Sequence, residues 1–167
     1  MKPSFRHIAA TTTGLAFALI LLGVYTGAAG AGLACAGRWP LCDGWLGLFP
    51  ANLPSFIEWF HRFVAMIAGF FILGVAYSAW RNDRGRWIRY SSAVALALTP
   101  VQFLLGANTI FNFGIMAQVF HHAAALLILT SLTVTTTLAF ARSGGSPTSA
   151  GDTARNAAGT DDRAGAD

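Results

Sequence analysis

The stretch YSSAVALALTPVQFLLGANTIFNFGIMAQVFHHAAALLILTSLTVTTTLAFA, residues 90–141, runs for 52 residues without one Asp, Glu, Lys or Arg. An uncharged apolar run of about 20 residues is long enough to cross the roughly 30 Å hydrocarbon layer of a bilayer as a helix. Fifty-two residues are too many for one crossing and sufficient for two. Asn112-Phe113-Gly114 supplies the break, so the sequence predicts helices over about 90–111 and 114–140. A turn this short makes them antiparallel neighbours in a bundle.

Working outward, two further runs lack charge, Phe63–Trp80 and Ile8–Gly37. The first lies in a helix predicted over about 54–80. The second is too long for one crossing. Its apolar core, about 7–27, is the helix, and the glycine-rich remainder opens a loop that continues to Leu53. Of the 167 residues, 54% are hydrophobic and 11% are charged, against roughly 25% charged in an ordinary soluble domain. These figures exclude a soluble enzyme, a nucleic-acid-binding module and a disordered chain. The fold class is therefore an all-α integral membrane protein, a four-transmembrane-helix bundle over residues 1–140.

Lys2 and Arg6 followed by apolar residues resemble a signal peptide, but an apolar stretch of about 20 residues exceeds the usual 7–15 of such a signal, so a retained helix is expected. Gly32 stands where lipoprotein processing before Cys35 would want a bulky aliphatic. Residues 141–167 contain no Val, Ile, Leu, Met or aromatic side chain. A segment that buries so little cannot offset its ordering entropy, and a disordered tail is expected there.

The net charge of +4 reflects topology. Arg81, Arg84, Arg86 and Arg89 fill the connection between the second and third helices, and Lys2 and Arg6 precede the first. The positive-inside rule places both termini, the tail and the Arg81–Arg89 connection in the cytoplasm of a multi-pass cell-membrane protein. The loop 28–53 and the Asn112 turn then face the extracytoplasmic side.

Ionisable side chains within membrane spans are costly and mark function by default. Here they are Glu58, His61, Arg62, His121 and His122, with Gln102 and Asn108 as neutral polar groups. Glu58 and His61 are three apart, on one helix face. His61 and His121 each lie about seven residues into a helix that starts outside, so both imidazoles sit roughly 10 Å deep. Two histidines facing each other across a bundle at one depth can bracket a planar metal macrocycle, and haem iron is commonly held by axial His. His61 is followed four positions on by Ala65 and His121 by Ala125. This shared spacing favours His121 over His122 as the metal ligand opposite His61. Arg62 suits the carboxylates of a haem as a clamp, or lies at the interface with its charge in water.

Cys35 and Cys42, the two cysteines of the chain, fall in the outer loop. Seven positions apart on an extracytoplasmic loop, they can close a disulfide, either as a staple worth roughly 2–3 kcal/mol or as a redox-active pair. Two Cys without further ligands make a poor zinc site.

The stretch Gly23-Val-Tyr-Thr-Gly-Ala-Ala-Gly-Ala-Gly-Leu-Ala-Cys35 and the segment Trp39-Pro40-Leu41-Cys42-Asp43-Gly44 resemble the first outer loop of heme A synthases. Glu58-Trp-Phe-His61-Arg62 is similar to that family's Glu-x-x-His-Arg motif on helix 2. Gln102-Phe-Leu-Leu-Gly106-Ala is similar to its helix 3 motif, and His121 with Ala125 to its helix 4 histidine. Together the four motifs span residues 20–130 or so.

The resemblance implies an integral membrane oxidoreductase that converts the C8 methyl group of heme O to the formyl group of heme A for terminal oxidase biogenesis. It implies His61 and His121 as axial haem-iron ligands, Glu58 as the acidic residue needed for catalysis, accepting protons or stabilising positive charge, and Cys35–Cys42 as a loop disulfide. Haem b would be the cofactor and heme O the substrate. The partners it implies are the lipid bilayer, a heme O synthase, terminal oxidase subunits and further copies of the chain. The common form of the family has eight helices in two tandem halves with a His pair in each. This chain resembles the cysteine-bearing half, and association of identical chains is expected to supply a second site. A haem-b membrane electron carrier, or an oxidase assembly factor that chaperones haem, is the alternative reading.

Overall fold

The computed structural model describes residues 4–144, which form four long α-helices: α1 Phe5–Ala28, α2 Leu53–Arg81, α3 Arg86–Phe111 and α4 Ile115–Gly144. All four are long and apolar enough to cross a membrane, as the uncharged runs predict. Large apolar side chains such as Phe17, Phe70, Leu104 and Leu127 point outward, which lipid tolerates and water would not. The tail expected to be disordered falls, beyond Gly144, outside the described residues.

Helix boundaries differ from the sequence expectation mainly at the end of α4, which runs four residues further than expected, and at the start of α3. Helix α3 begins at Arg86, behind Gly85, four residues before the uncharged run starts. Charge marks where a helix leaves the hydrocarbon, and the helix itself continues through Arg86 and Arg89 into the interface. Arg89 there pairs with Asp83 at 2.6 Å, and its guanidinium lies 5.4 Å from the Trp80 ring centroid.

Each helix packs on its neighbours in sequence, and α1 packs on α4. The helices therefore occupy the corners of a square, with α2 diagonal to α4. The interior is built in layers. Phe5, Ala9, Val75, Ala79, Ile88 and Ala139 form one apolar cluster near the end that carries the α2–α3 connection. Ala16, Ile72, Ala95, Ile128 and Leu132 form the next. Small side chains let the backbones approach closely, as membrane helix contacts require. Hydroxyl pairs cross between helices, Thr13 to Thr136 at 2.9 Å and Ser91 to Thr135 at 2.8 Å. Seven residues make about two turns and return to the same helix face. Continuing Ala9, Ala16 along α1 therefore reaches Gly23, and continuing Ile88, Ala95 along α3 reaches Gln102. The third layer is thus polar.

Residues 29–52 connect α1 to α2 over that third layer. They contain a cis Trp39–Pro40 peptide, a single 3-10 turn at Trp45–Gly47 and the expected disulfide between Cys35 and Cys42. Both cysteines are fully buried. Gly44, at φ +83°, cannot be replaced cheaply, because a Cβ there would run into the Phe49 carbonyl oxygen.

Candidate functional site

The position of α2 under the loop starts from its cap. Asn52 accepts the Ser55 N–H at 3.0 Å, and Pro54 lies in the first turn, a standard N-terminal arrangement. Ser55, Glu58 and Arg62 then follow at helical spacing on one face, turned to the loop. The Cys35 N–H donates to Glu58 Oε2 at 2.7 Å. Arg62 Nη2 pairs with Glu58 Oε1, and Arg62 Nη1 donates to the carbonyls of Arg38 at 2.8 Å and Leu41 at 2.6 Å. Ser55 Oγ lies 3.0 Å from the Ala34 carbonyl and 2.8 Å from Asp43 Oδ2. The Glu58 side chain is about 5% exposed and that of Arg62 about 15%. The disulfide loop is thereby fastened to the first two turns of α2 by one carboxylate, one guanidinium and one hydroxyl.

The sequence places Glu58 and Arg62 at the haem, on catalysis and on the propionates. The structure brings both to the loop, and it places Glu58 about one helical turn nearer than His61 to the N-terminal end of α2. Cys35, Cys42 and Asp43 also gather within 4.8 Å of one another, yet the two sulfurs are spent on their disulfide and offer no thiolate.

His61 sits eight residues into α2 and His121 six residues into α4, about 12 Å and 9 Å from the N-terminal ends of helices that run in the same direction. The two histidines occupy diagonal corners of the third layer. Each ring lies against a glycine on an adjacent helix. A Cβ at Gly23 of α1 would come 3.0 Å from His61 Cε1, and one at Gly106 of α3 would come 3.3 Å from His121 Cε1. The absence of those methyl groups is what leaves room for both rings. Among the described residues, His61 Nδ1 is buried without a hydrogen-bond partner, and so is the amide oxygen of Gln102. A buried imidazole nitrogen left unmatched is costly and is ready to serve as a metal ligand. The donor set, two imidazoles with a buried ring nitrogen left unmatched, therefore fits an iron macrocycle.

His122 differs from its neighbour. Its Nδ1–H donates to the Gln118 carbonyl of its own helix at 2.7 Å, and its ring lines an open outer groove of about 700 Å³ with Phe113, Ile115, Val119 and Leu126. His121 instead meets Gln102 Nε2, at 3.3 Å from Nδ1 and 3.4 Å from Nε2. Sequence reasoning singled out Gln102 as a polar group in a span and did not join it to His121. Its spacing of four from Gly106 was the available signal. Ser55 was not singled out at all, and Asp43 only as part of the loop segment beside Cys42, because their contacts span up to 21 residues of irregular loop.

A family profile described as cytochrome oxidase assembly protein (COX15-CtaA) matches residues 45–133, a span that contains His61, Gln102 and His121. The chain is 32% identical over 133 residues to the heme A synthase of Bacillus licheniformis, covering 78% of this chain and 43% of that one. It is 29% identical over 133 residues to the heme A synthase of Macrococcus caseolyticus, covering 79% and 44%. It is also 38% identical over 108 residues to a protoheme IX farnesyltransferase of Halobacterium salinarum, covering 64% of this chain and 23% of that protein. The chain thus spans less than half the length of these relatives. No solved structure matches it.

Proposed function

The chain belongs to the COX15-CtaA family of cytochrome oxidase assembly proteins, and from that premise we propose that it is a heme A synthase. In this reading it oxidises the C8 methyl group of heme O, by successive hydroxylations, to the formyl group of heme A. The observation that carries the reading is the diagonal pair His61 and His121, each imidazole set against a glycine, in a family whose relatives include heme A synthases.

In this proposal His61 and His121 hold haem iron, which supplies the redox chemistry. The remaining work belongs to the chain. Gly23 and Gly106 keep the two rings upright beside the macrocycle. The apolar layers beneath the site exclude water. Glu58, a turn outward of His61, has two oxygens and about four lone-pair sites. It can take a proton at Oε1 or Oε2 while keeping the Cys35 N–H, at the expense of its pairing with Arg62. Arg62 then acts on haem carboxylates only by giving up carbonyl contacts to the loop. Both termini lie in the cytoplasm in this scheme, and the Cys35–Cys42 loop faces the outside. Identical chains associate, and a second copy supplies the second haem site. The protoheme IX farnesyltransferase of Halobacterium salinarum carries a segment like this chain within a longer protein. That supports a haem farnesyltransferase as the partner that hands over the substrate.

Two measurements test this reading. Co-expression with a heme O synthase in a host that lacks heme A should yield heme A on chromatography of the extracted haems. A folded, haem-loaded protein that yields none leaves the second reading, a haem-b electron carrier or haem-chaperoning assembly factor. That alternative is favoured by the engagement of both Glu58 oxygens in holding the loop. The second measurement concerns Gly23→Ala. Alanine is the better helix former by about 1 kcal/mol, so thermal stability should hold or rise. The new methyl, 3.0 Å from His61 Cε1, should displace the ring and weaken haem uptake. Equal haem affinity in both proteins would show that the glycine does not shape the site.

A further inference from the structure

Gln102 reaches His121 from α3 and is one of two polar side chains in the third layer with a buried atom left unmatched. We propose that Gln102 is a positioning residue for His121, whose amide oxygen accepts the ring N–H that remains when the other ring nitrogen binds iron. The inference rests on the haem reading above and deepens it.

The geometry has three parts. Gln102 Nε2 lies 3.3 Å from Nδ1 and 3.4 Å from Nε2 of His121, so the amide sits over the nitrogen-bearing edge of the ring. Gly106, one turn along α3, lets the same ring rest on the helix, since a Cβ there would stand 3.3 Å from Cε1. The Gln102 Oε1 atom is buried and has no hydrogen-bond partner among the described residues. The ring is thus held between an amide and a glycine on one face of α3, and the amide has a spare acceptor.

Donor and acceptor counting decides what that acceptor is for. A neutral imidazole offers one N–H and one lone pair, and a primary amide offers both kinds of group. In the present arrangement the amide NH2 meets the ring lone pair and the oxygen is left over. A metal takes that lone pair, after which the ring presents only its N–H. The NH2 group cannot answer an N–H. A half-turn about the Cγ–Cδ bond exchanges nitrogen and oxygen at nearly the same positions and brings the orphaned oxygen onto the ring. Metal-bound imidazoles are commonly fixed in tautomer and strengthened as donors by such an acceptor.

His122 and His61 show why this falls to Gln102. His122 already donates its Nδ1–H to the Gln118 carbonyl. His61 Nδ1 is buried with no such partner, and Gly23, which faces its ring, has no side chain to offer one. As iron ligands the two histidines would therefore be unequal, with His121 the stronger donor.

The test uses the full chain, purified in detergent and reconstituted with protohaem IX, comparing wild type, Gln102→Leu, Gln102→Glu and His121→Ala. Absorption and electron paramagnetic resonance report ligation, and a redox titration reports the midpoint potential. Gln102→Leu should keep both axial histidines, bind haem about 10-fold to 100-fold more weakly and titrate at a higher potential. The shift is about 59 mV for each tenfold loss of preference for ferric over ferrous haem. Gln102→Glu, with a stronger acceptor in the same place, should titrate below wild type, and it decides the matter alone if the leucine variant does not fold. Potentials and affinities equal to wild type in the Gln102 variants, with ligation lost in His121→Ala, would overturn the role of Gln102 and leave the haem reading intact. A wild-type protein without bis-histidine ligation, or one whose ligation survives His121→Ala, would overturn both.

Discussion

His61→Ala and His121→Ala are each expected to convert the protein from low-spin, six-coordinate haem binding to weak, high-spin binding. Haem affinity should fall by more than the roughly 10–100-fold that loss of a ligand's hydrogen-bond partner costs, because the metal–nitrogen bond itself is removed. The helices should survive. Each imidazole is held by little beyond its ring contacts, and His61 Nδ1 carries an unmatched polar atom whose removal relieves a cost. Added imidazole should restore part of the low-spin spectrum by filling the space the side chain leaves, and His122→Ala should change the spectrum little, since that ring faces the outer groove. Two single variants with wild-type spectra would remove the diagonal pair as the ligand set, and a collapse confined to His122→Ala would move the site to the groove.

The second large effect is expected at Glu58. Glu58→Ala takes away the acceptor of the Cys35 N–H and strips Arg62 of its counter-charge inside a contact that is nearly dry. Breaking a buried ion pair by removing one partner typically costs about 3–5 kcal/mol. Here most of that cost should appear as release of the loop from α2, because the helices are joined elsewhere by independent layers. The Cys35–Cys42 disulfide should therefore become much faster to reduce by a membrane-impermeant phosphine. Residues 36–52 should also become sensitive to added protease. Glu58→Gln keeps an oxygen for the Cys35 N–H and should leave the loop mostly in place. If that variant holds its loop and its haem yet makes no heme A, the carboxylate has a part in the reaction beyond fastening. Wild-type reduction rates in Glu58→Ala would show that Ser55 and the other loop contacts suffice.

Much of the fold was legible because lipid demands long uncharged runs, and Tyr90–Ala141 could satisfy that demand only as two helices. The start of α3 was not legible from the same signal, since charge ends at the membrane surface and helical hydrogen bonding does not. The depth of His61 and His121 followed from counting residues along two helices that run the same way. The contact of Gln102 with His121 did not follow, because it depends on the rotation of α3 about its axis. In water an apolar stripe reveals that rotation. In a bilayer the outward face is apolar too, and Leu104 on the lipid side looks no different from Ile88 in the core. The fastening of Glu58 to Cys35 was hidden for another reason. It links positions 23 residues apart through a loop whose path is set by Gly44 and the 3-10 turn.

The two apolar layers below the histidines also act as insulation. Between His61 and Arg81 on α2, and between Arg89 and His121 on α3 and α4, Arg62 is the one side chain with a permanent charge, and it sits at the upper edge, committed to the loop. The hydroxyls of Thr12 and Thr135 in these layers are bonded to carbonyls of their own helices. Tyr77 and Tyr90 face outward, so among the described residues of these spans a proton has no titratable station in the interior through that depth, roughly 20 Å by helix rise. Protons released in oxidising a methyl group at the third layer would leave past Glu58 and the disulfide loop, and the whole reaction would be coupled to one side of the membrane.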